Sequence, residues 1–256
     1  MHYALCTPYN HMNLFSPQPT PYDLKFRMFG FPIRITPWFW VVAAMLGASL
    51  SPKTMILWVA AVFFGILVHE LGHAFAMRHY GFQPEITFHA MGGLTSYNSS
   101  YQINHRYLSN WEHVVIDAAG PLAGFALFGV IAALLLFIGV NPIGFLFGDI
   151  DEQQRGSLFR FLSAPVIVFL HLEMYICLFW GILNLMPVYP LDGGQIAREI
   201  CMALNPRTGI ALSFQISFIA SLILAGIALL WLNDWFMAAF FGMFAYSSWQ
   251  AMNYRG

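Results

Sequence analysis

Apolar residues in this chain collect into long, nearly unbroken runs instead of alternating with charge. Six runs read as membrane-spanning helices, at about residues 36–50, 54–78, 112–139, 164–186, 208–232 and 235–252. A spanning helix needs about 20 apolar residues, each adding about 1.5 Å, and the first run is the shortest. Only Asn233-Asp234 divides the last two, which predicts a tight hairpin. Two stretches carry a different period. Phe31-Pro-Ile-Arg-Ile alternates as a short strand does. In residues 84–101, Ile86, Phe88 and Ala90 alternate with Thr87 and His89, and Gly92-Gly93 follows. This predicts a small β-hairpin or sheet beside the membrane face. Residues 141–161, with Asp149, Asp151, Glu152, Arg155 and Arg160, read as a polar loop. The expectation is an all-α polytopic membrane protein of six transmembrane helices. A small membrane-associated β-hairpin or sheet lies between helices 2 and 3.

Composition supports the membrane reading. Of 256 residues, 59% are hydrophobic and 9% charged, against about 25% charged in a soluble domain. A chain of this length cannot bury that much apolar surface against itself, so its solvent is lipid. Eleven basic and twelve acidic residues nearly cancel, which argues against a nucleic-acid partner. Cys6, Cys177 and Cys201 show no paired spacing. Residues 1–30, which hold Pro8, Pro17, Pro19 and Pro21, read as a flexible cytoplasmic N-terminal arm. Residues 31–256 read as a single membrane-embedded domain, with a core at about 54–205 and helices 5 and 6 at about 208–252. With the N-terminus in the cytoplasm, the inner segments carry Lys25, Arg27, Arg34, Arg78, Arg106, Arg198, Arg207 and Arg255. The outer loops carry Lys53, Arg155 and Arg160. This bias puts both termini in the cytoplasm.

Against that background, His69-Glu-Leu-Gly-His73 stands out inside the second run. Histidines four apart share one helix face and can grip one metal ion. Glu70 lies beside them, placed to take a proton from a metal-bound water. Charge in hydrocarbon is costly and by default functional. A catalytic zinc site usually has three protein ligands and an open fourth position. The best third ligand is Asp192, in Asn184-Leu-Met-Pro-Val-Tyr-Pro-Leu-Asp-Gly-Gly194, because the fourth run ends at a matching depth. Pro187 and Pro190 cannot continue a helix, and unwound backbone at membrane depth lines wet cavities. Gly193-Gly194 permits a sharp turn into a following helix at 195–204. A helix-capping aspartate is the alternative for Asp192.

These two segments together resemble the signatures of the site-2 protease family of intramembrane zinc metalloproteases, in its compact bacterial form without a PDZ or CBS domain. Ala119-Gly-Pro-Leu-Ala-Gly124 resembles the family's third core-helix motif, with Gly124 where many members have Asn. Phe31-Pro-Ile-Arg-Ile-Thr-Pro-Trp resembles the entry to the first helix. The resemblance covers about residues 30–205. It implies one Zn2+ per chain, held by His69, His73 and Asp192, with Glu70 as general base and later proton donor. Asn184 would bond substrate backbone or the developing oxyanion, with interhelical bonding as its structural alternative. The implied activity is hydrolysis of a peptide bond within or near a transmembrane segment of a membrane-protein substrate. The implied location is the bacterial inner membrane, among its lipids. The sequence is silent on oligomeric state.

The rival reading is a catalytically silent zinc-binding membrane protein that holds clients without cutting them; an intact Glu70 argues against it. A metal transporter would want sites spread along a path, and membrane desaturases need several histidine clusters. Other intramembrane groups read as structural. His171 and Glu173 lie two apart and do not share a helix face, and structural pairing is the reading favoured for them over an alternative metal site. His113 and Asp117 predict an interfacial ion pair. Gly120, Pro121 and Gly124 predict close packing and a kink. His79, His89 and His105 read as solvated near the cytoplasmic face.

Overall fold

The computed structural model describes residues 19–97 and 108–253. The arm through residue 18, the end of the expected β segment at 98–101, and His105 lie outside the described residues. The remainder is mostly helical, with one small sheet. Four helices are long and apolar enough to cross a membrane: α2 (Pro52–His79), α3 (Asn110–Phe137), α6 (Ala164–Asn184) and α8 (Gly209–Leu230). They correspond to the second, third, fourth and fifth apolar runs.

The first and last runs behave differently. Helix α1 spans only Pro37–Leu46, 10 residues, or about 15 Å. It ends at Gly47, whose Cα lies against the Trp58 indole. The Trp58 Nε1–H donates to the Ala43 carbonyl at 3.0 Å, so α1 packs only on the first half of α2. Helix α9 (Trp235–Asn253) has the length of a span, but Ser247, Ser248 and Gln250 dilute its apolar character. The expected polar loop at 141–161 is instead mostly two short helices, α4 (Pro142–Phe147) and α5 (Glu152–Phe161). Their starts are capped by Asn141 and Asp151, whose side chains accept from Ile143 and Gln154 backbone N–H groups. Phe145, Leu146 and Leu158 fix both pieces against α3 and α6.

The sheet has order β1-β2-β3-β4: Leu24–Met28, Phe31–Ile35, Pro84–His89 and Gly92–Tyr97. The expected hairpin at residue 84 onward is β3–β4, paired antiparallel from Pro84–Tyr97 to His89–Gly92. The arm expected over residues 1–30 gives up its end to the sheet. Leu24-Lys-Phe-Arg-Met28 alternates apolar and basic residues and pairs antiparallel with β2 through a turn at Phe29-Gly30, both at positive φ. β2 and β3 run parallel. A parallel pair needs a crossover, and here the crossover is the whole α1–α2 hairpin.

β2 and β3 press Ile33, Ile35, Ile86 and Phe88 onto Ile66, Leu67, Leu71 and Ala74 of α2. The sheet therefore takes the half of α2 that α1 is too short to cover. Phe88 is fully buried, with its ring 5.1 Å from Phe39 and 5.2 Å from Phe63. Phe88→Ala is expected to lower the stability of the detergent-solubilised protein by about 3–5 kcal/mol, read from a chemical-denaturation midpoint. An unchanged midpoint would mean that the sheet is not packed on α2 as described.

Candidate metal centre

Helix α2 carries His69 and His73 on the face turned toward α3 and α6, while Ile66, Leu67, Leu71 and Ala74 face the sheet. Close approach of α3 is possible because the meeting residues are small. A Cβ on Gly72 would collide with the Ala119 carbonyl, and one on Gly120 would enter the His73 ring. With that clearance, His73 Nδ1 lies 2.8 Å from the Ile116 carbonyl. A carbonyl only accepts, so Nδ1 carries the proton and Nε2 presents a lone pair.

Asp192 arrives from the far side of the site. The loop before it is held by the Tyr189 backbone N–H donating to Ser217 Oγ at 2.7 Å. Gly193 and Gly194 then pass so close to the backbone of Leu185–Val188 that neither has room for a side chain. Helix α7 (Asp192–Leu204) starts at the aspartate itself, so Asp192 does not occupy the cap position, which is Leu191. Farther along α7, the buried Glu199 accepts from Asn110 Nδ2 of α3 and from Arg198, each at 3.0 Å.

The result is a convergence of three donor atoms. Asp192 Oδ2 lies 3.0 Å from His69 Nε2 and 3.4 Å from His73 Nε2, and the two Nε2 atoms are 3.2 Å apart. His69 and His73 are only 4% and 6% exposed. Asp192 Oδ2 makes no well-formed hydrogen bond despite these short distances. Electron-rich atoms brought this close in a dry site suit a divalent cation, and two imidazoles with one carboxylate are a set that zinc accepts. Among the described residues, this is the one group of three or more His, Cys, Asp or Glu side chains close enough to share an ion.

Glu70 stands beside the cluster and does not join it. Its Oε2 accepts from Thr95 Oγ1 at 2.7 Å, and its backbone carbonyl accepts from the same hydroxyl at 3.1 Å. A Cβ on Gly93 would run into the Glu70 carboxyl. Strand β4 thus clears space for the carboxylate at one residue and orients it at another. Asn184 is buried at the end of α6 and donates from Nδ2 to the Trp180 carbonyl of its own helix at 3.0 Å.

The sequence-predicted residues His69, Glu70, His73 and Asp192 are brought together. Thr95 and the Ile116 carbonyl were not foreseen. Backbone carbonyls leave no mark in a sequence, and a lone Thr in a strand has too many other uses. Gly93 and Gly120 did carry a signal, a glycine doublet and a small-residue run. The expected His113–Asp117 ion pair is not present among the described residues; Glu112 instead forms a capping box with Ser109. His171 Nδ1 meets the Phe145 carbonyl at 3.0 Å, so it does not pair with Glu173.

Comparison with known proteins gives concordant matches. The profile described as Peptidase family M50 matches residues 57–227. A zinc metalloprotease of Methanocaldococcus jannaschii is 26% identical over 180 residues, 68% of this chain and 44% of its own length. A candidate zinc metalloprotease of Synechocystis is 25% identical over 206 residues, 74% of this chain and 47% of its own. The chain spans less than half the length of these curated relatives. Among solved structures, the site-2 protease from M. jannaschii shares the fold, with a TM-score of 0.54 and 22% identity. That match covers 92% of this chain and 97% of the other.

Because Gly120 makes room for the His73 ring, Gly120→Ala is expected to lower metal retention at least about 10-fold, as loss of ligand orientation does elsewhere. Metal analysis of the purified protein after dialysis against a weak chelator measures this. Retention equal to wild type would show that the ring does not need that clearance.

Proposed function

This chain belongs to peptidase family M50, and from that premise we propose that it is an intramembrane zinc metalloprotease. It hydrolyses a peptide bond within or near a transmembrane segment of a membrane-protein substrate. The observation that carries the reading is the convergence of His69, His73 and Asp192 beside a Glu70 that Thr95 holds out of the ligand set. One zinc per chain is held by those three residues. Bound there, zinc supplies a Lewis acid that acidifies water and polarises a carbonyl. Glu70 takes the proton from the attacking water and returns it to the departing amine. His73 keeps the correct tautomer because the Ile116 carbonyl holds its Nδ1 proton. Asn184 retains one amide hydrogen beyond its bond to Trp180, available to substrate backbone or the developing oxyanion.

A helical substrate has its peptide groups locked in hydrogen bonds, so it must unwind before it can be cut. Among the described residues, strand β4 pairs only with β3. An unwound segment adding along its other edge beside Thr95 would place its backbone at the site. Residues 31–256 act as one membrane-embedded unit, with the core at about 54–205. Six segments enter the membrane, with the short α1 crossing only part of it. Both termini face the cytoplasm of a bacterial inner membrane, as the Lys/Arg distribution supports.

Two experiments test this reading. In the first, cleavage of a single-span model substrate is measured in detergent or vesicles. Glu70→Gln is expected to lose more than about 10²-fold in rate while keeping its zinc. Thr95→Val, which removes the hydroxyl that contacts both the Glu70 carboxylate and its carbonyl, is expected to slow cleavage about 10-fold. Near-normal cleavage by Glu70→Gln would remove Glu70 from its role. The second experiment concerns orientation. Single cysteines near Lys25 and Glu152, in a cysteine-free background, are treated with a membrane-impermeant thiol reagent on intact cells. Only the one near Glu152 is expected to react, and the reverse pattern would invert the topology.

A further inference from the structure

The two histidines of the metal centre are not equally held. His73 gives its Nδ1 proton to the Ile116 carbonyl at 2.8 Å. His69 also points Nε2 at Asp192, yet its Nδ1 is buried without a hydrogen-bond partner among the described residues. A metal-ligating imidazole nearly always anchors its second nitrogen on a carboxylate, a carbonyl or a water. A second orphaned polar atom lies in the same region. Glu173 of α6 is 1% exposed, its Oε1 meets Cys177 Sγ at 3.7 Å, and its Oε2 has no partner among the described residues.

Gly65 links the two. It is four residues before His69, on the same face of α2 and one turn toward its N-terminus. Its missing side chain leaves the place that Glu173 enters: a Cβ there would lie 3.1 Å from Glu173 Oε1 and 2.9 Å from Ile176 Cγ2. Cβ positions four apart on a helix are about 5–6 Å from each other, and a helical side chain leans back over the turn N-terminal to its own Cα. The His69 ring therefore leans toward the spot where Glu173 arrives, with Nδ1 on the side away from Asp192. A water bridging the two groups would gain a partner at each end. A carboxyl placed this deep in an apolar bundle is costly unless it serves a polar neighbour.

We infer that Glu173 is a positioning residue for the metal centre, accepting the His69 Nδ1 proton through one bridging water that passes over Gly65. The inference rests on the zinc reading above. It assigns a role to an intramembrane acid that neither binds the metal nor touches the substrate. The role needs an acceptor at residue 173 and open space at residue 65. It does not need the negative charge.

The test uses the full chain purified in detergent, as wild type, Glu173→Gln, Glu173→Leu, Gly65→Ala and Cys177→Ala. Zinc affinity is measured by competition with a chromophoric chelator, and the ligand field by the visible spectrum of the cobalt-loaded protein. Glu173→Leu and Gly65→Ala are expected to weaken zinc binding about 10- to 100-fold and to shift the cobalt bands. Glu173→Gln keeps an acceptor and is expected to stay within about threefold of wild type, with an unshifted spectrum. Cys177→Ala is expected to change neither readout. If Glu173→Leu does not yield a monodisperse protein, Gly65→Ala carries the test, because it leaves the carboxyl in place and closes only the route. Wild-type affinity and spectrum in Gly65→Ala would overturn the inference, and so would a loss in Glu173→Gln equal to that in Glu173→Leu. If wild type binds zinc no better than His69→Ala, the zinc reading itself fails and the inference goes with it.

Discussion

Helices α2 and α3 meet backbone to backbone where Gly72 lies on the Ala119 carbonyl and Gly120 lies on the His73 ring. Transmembrane helices have no hydrophobic drive toward each other, because lipid is as apolar as leucine, and so they rely on small residues to come close. That closeness does more here than pack two helices. It brings the Ile116 carbonyl within reach of His73 Nδ1 and fixes which nitrogen faces Asp192. For His73, then, the orienting partner is a main-chain atom already present in the helix.

The core of this arrangement was legible in the sequence for reasons of period. His69 and His73 advertise a shared face because four residues nearly complete a helical turn, and Pro187 and Pro190 announce that α6 stops where Asp192 begins its own helix. The short α1 was harder to read. Its run of apolar residues continues past Leu46, but Gly47 and the Ser51-Pro52 cap end one helix and start the next. Strand β1 and the parallel β2–β3 pair were not legible at all. Leu24–Met28 alternates clearly, yet it sits beside a proline-rich stretch that reads as loose chain, and parallel pairing depends on where two distant segments return in space. Helix α5 hid behind its charges, because Leu158 is its one buried residue among many polar ones, and the apolar α4 is only six residues long.

The sheet also explains why Glu70 stays out of the ligand set. Between two histidines that point at Asp192, a carboxylate one residue along would be free to swing toward the cation. Helical geometry turns Glu70 about 100° away from His69, and Thr95 then grips its oxygen from β4. The two faces of α2 thus separate the groups: His69 and His73 converge on Asp192 on one side, and Glu70 is gripped from the sheet on the other.

The same connection sets the order in which the protein can assemble. β2 leaves the membrane surface, the chain travels out through α1 and back through all of α2, and only then can β3 lie alongside β2. Among the described residues, β4 reaches the sheet through β3 alone. The grip of Thr95 on Glu70 spans 25 residues and therefore needs the β3–β4 hairpin folded back onto α2. Until that closure the histidines share a finished helix, but the carboxylate between them is untethered.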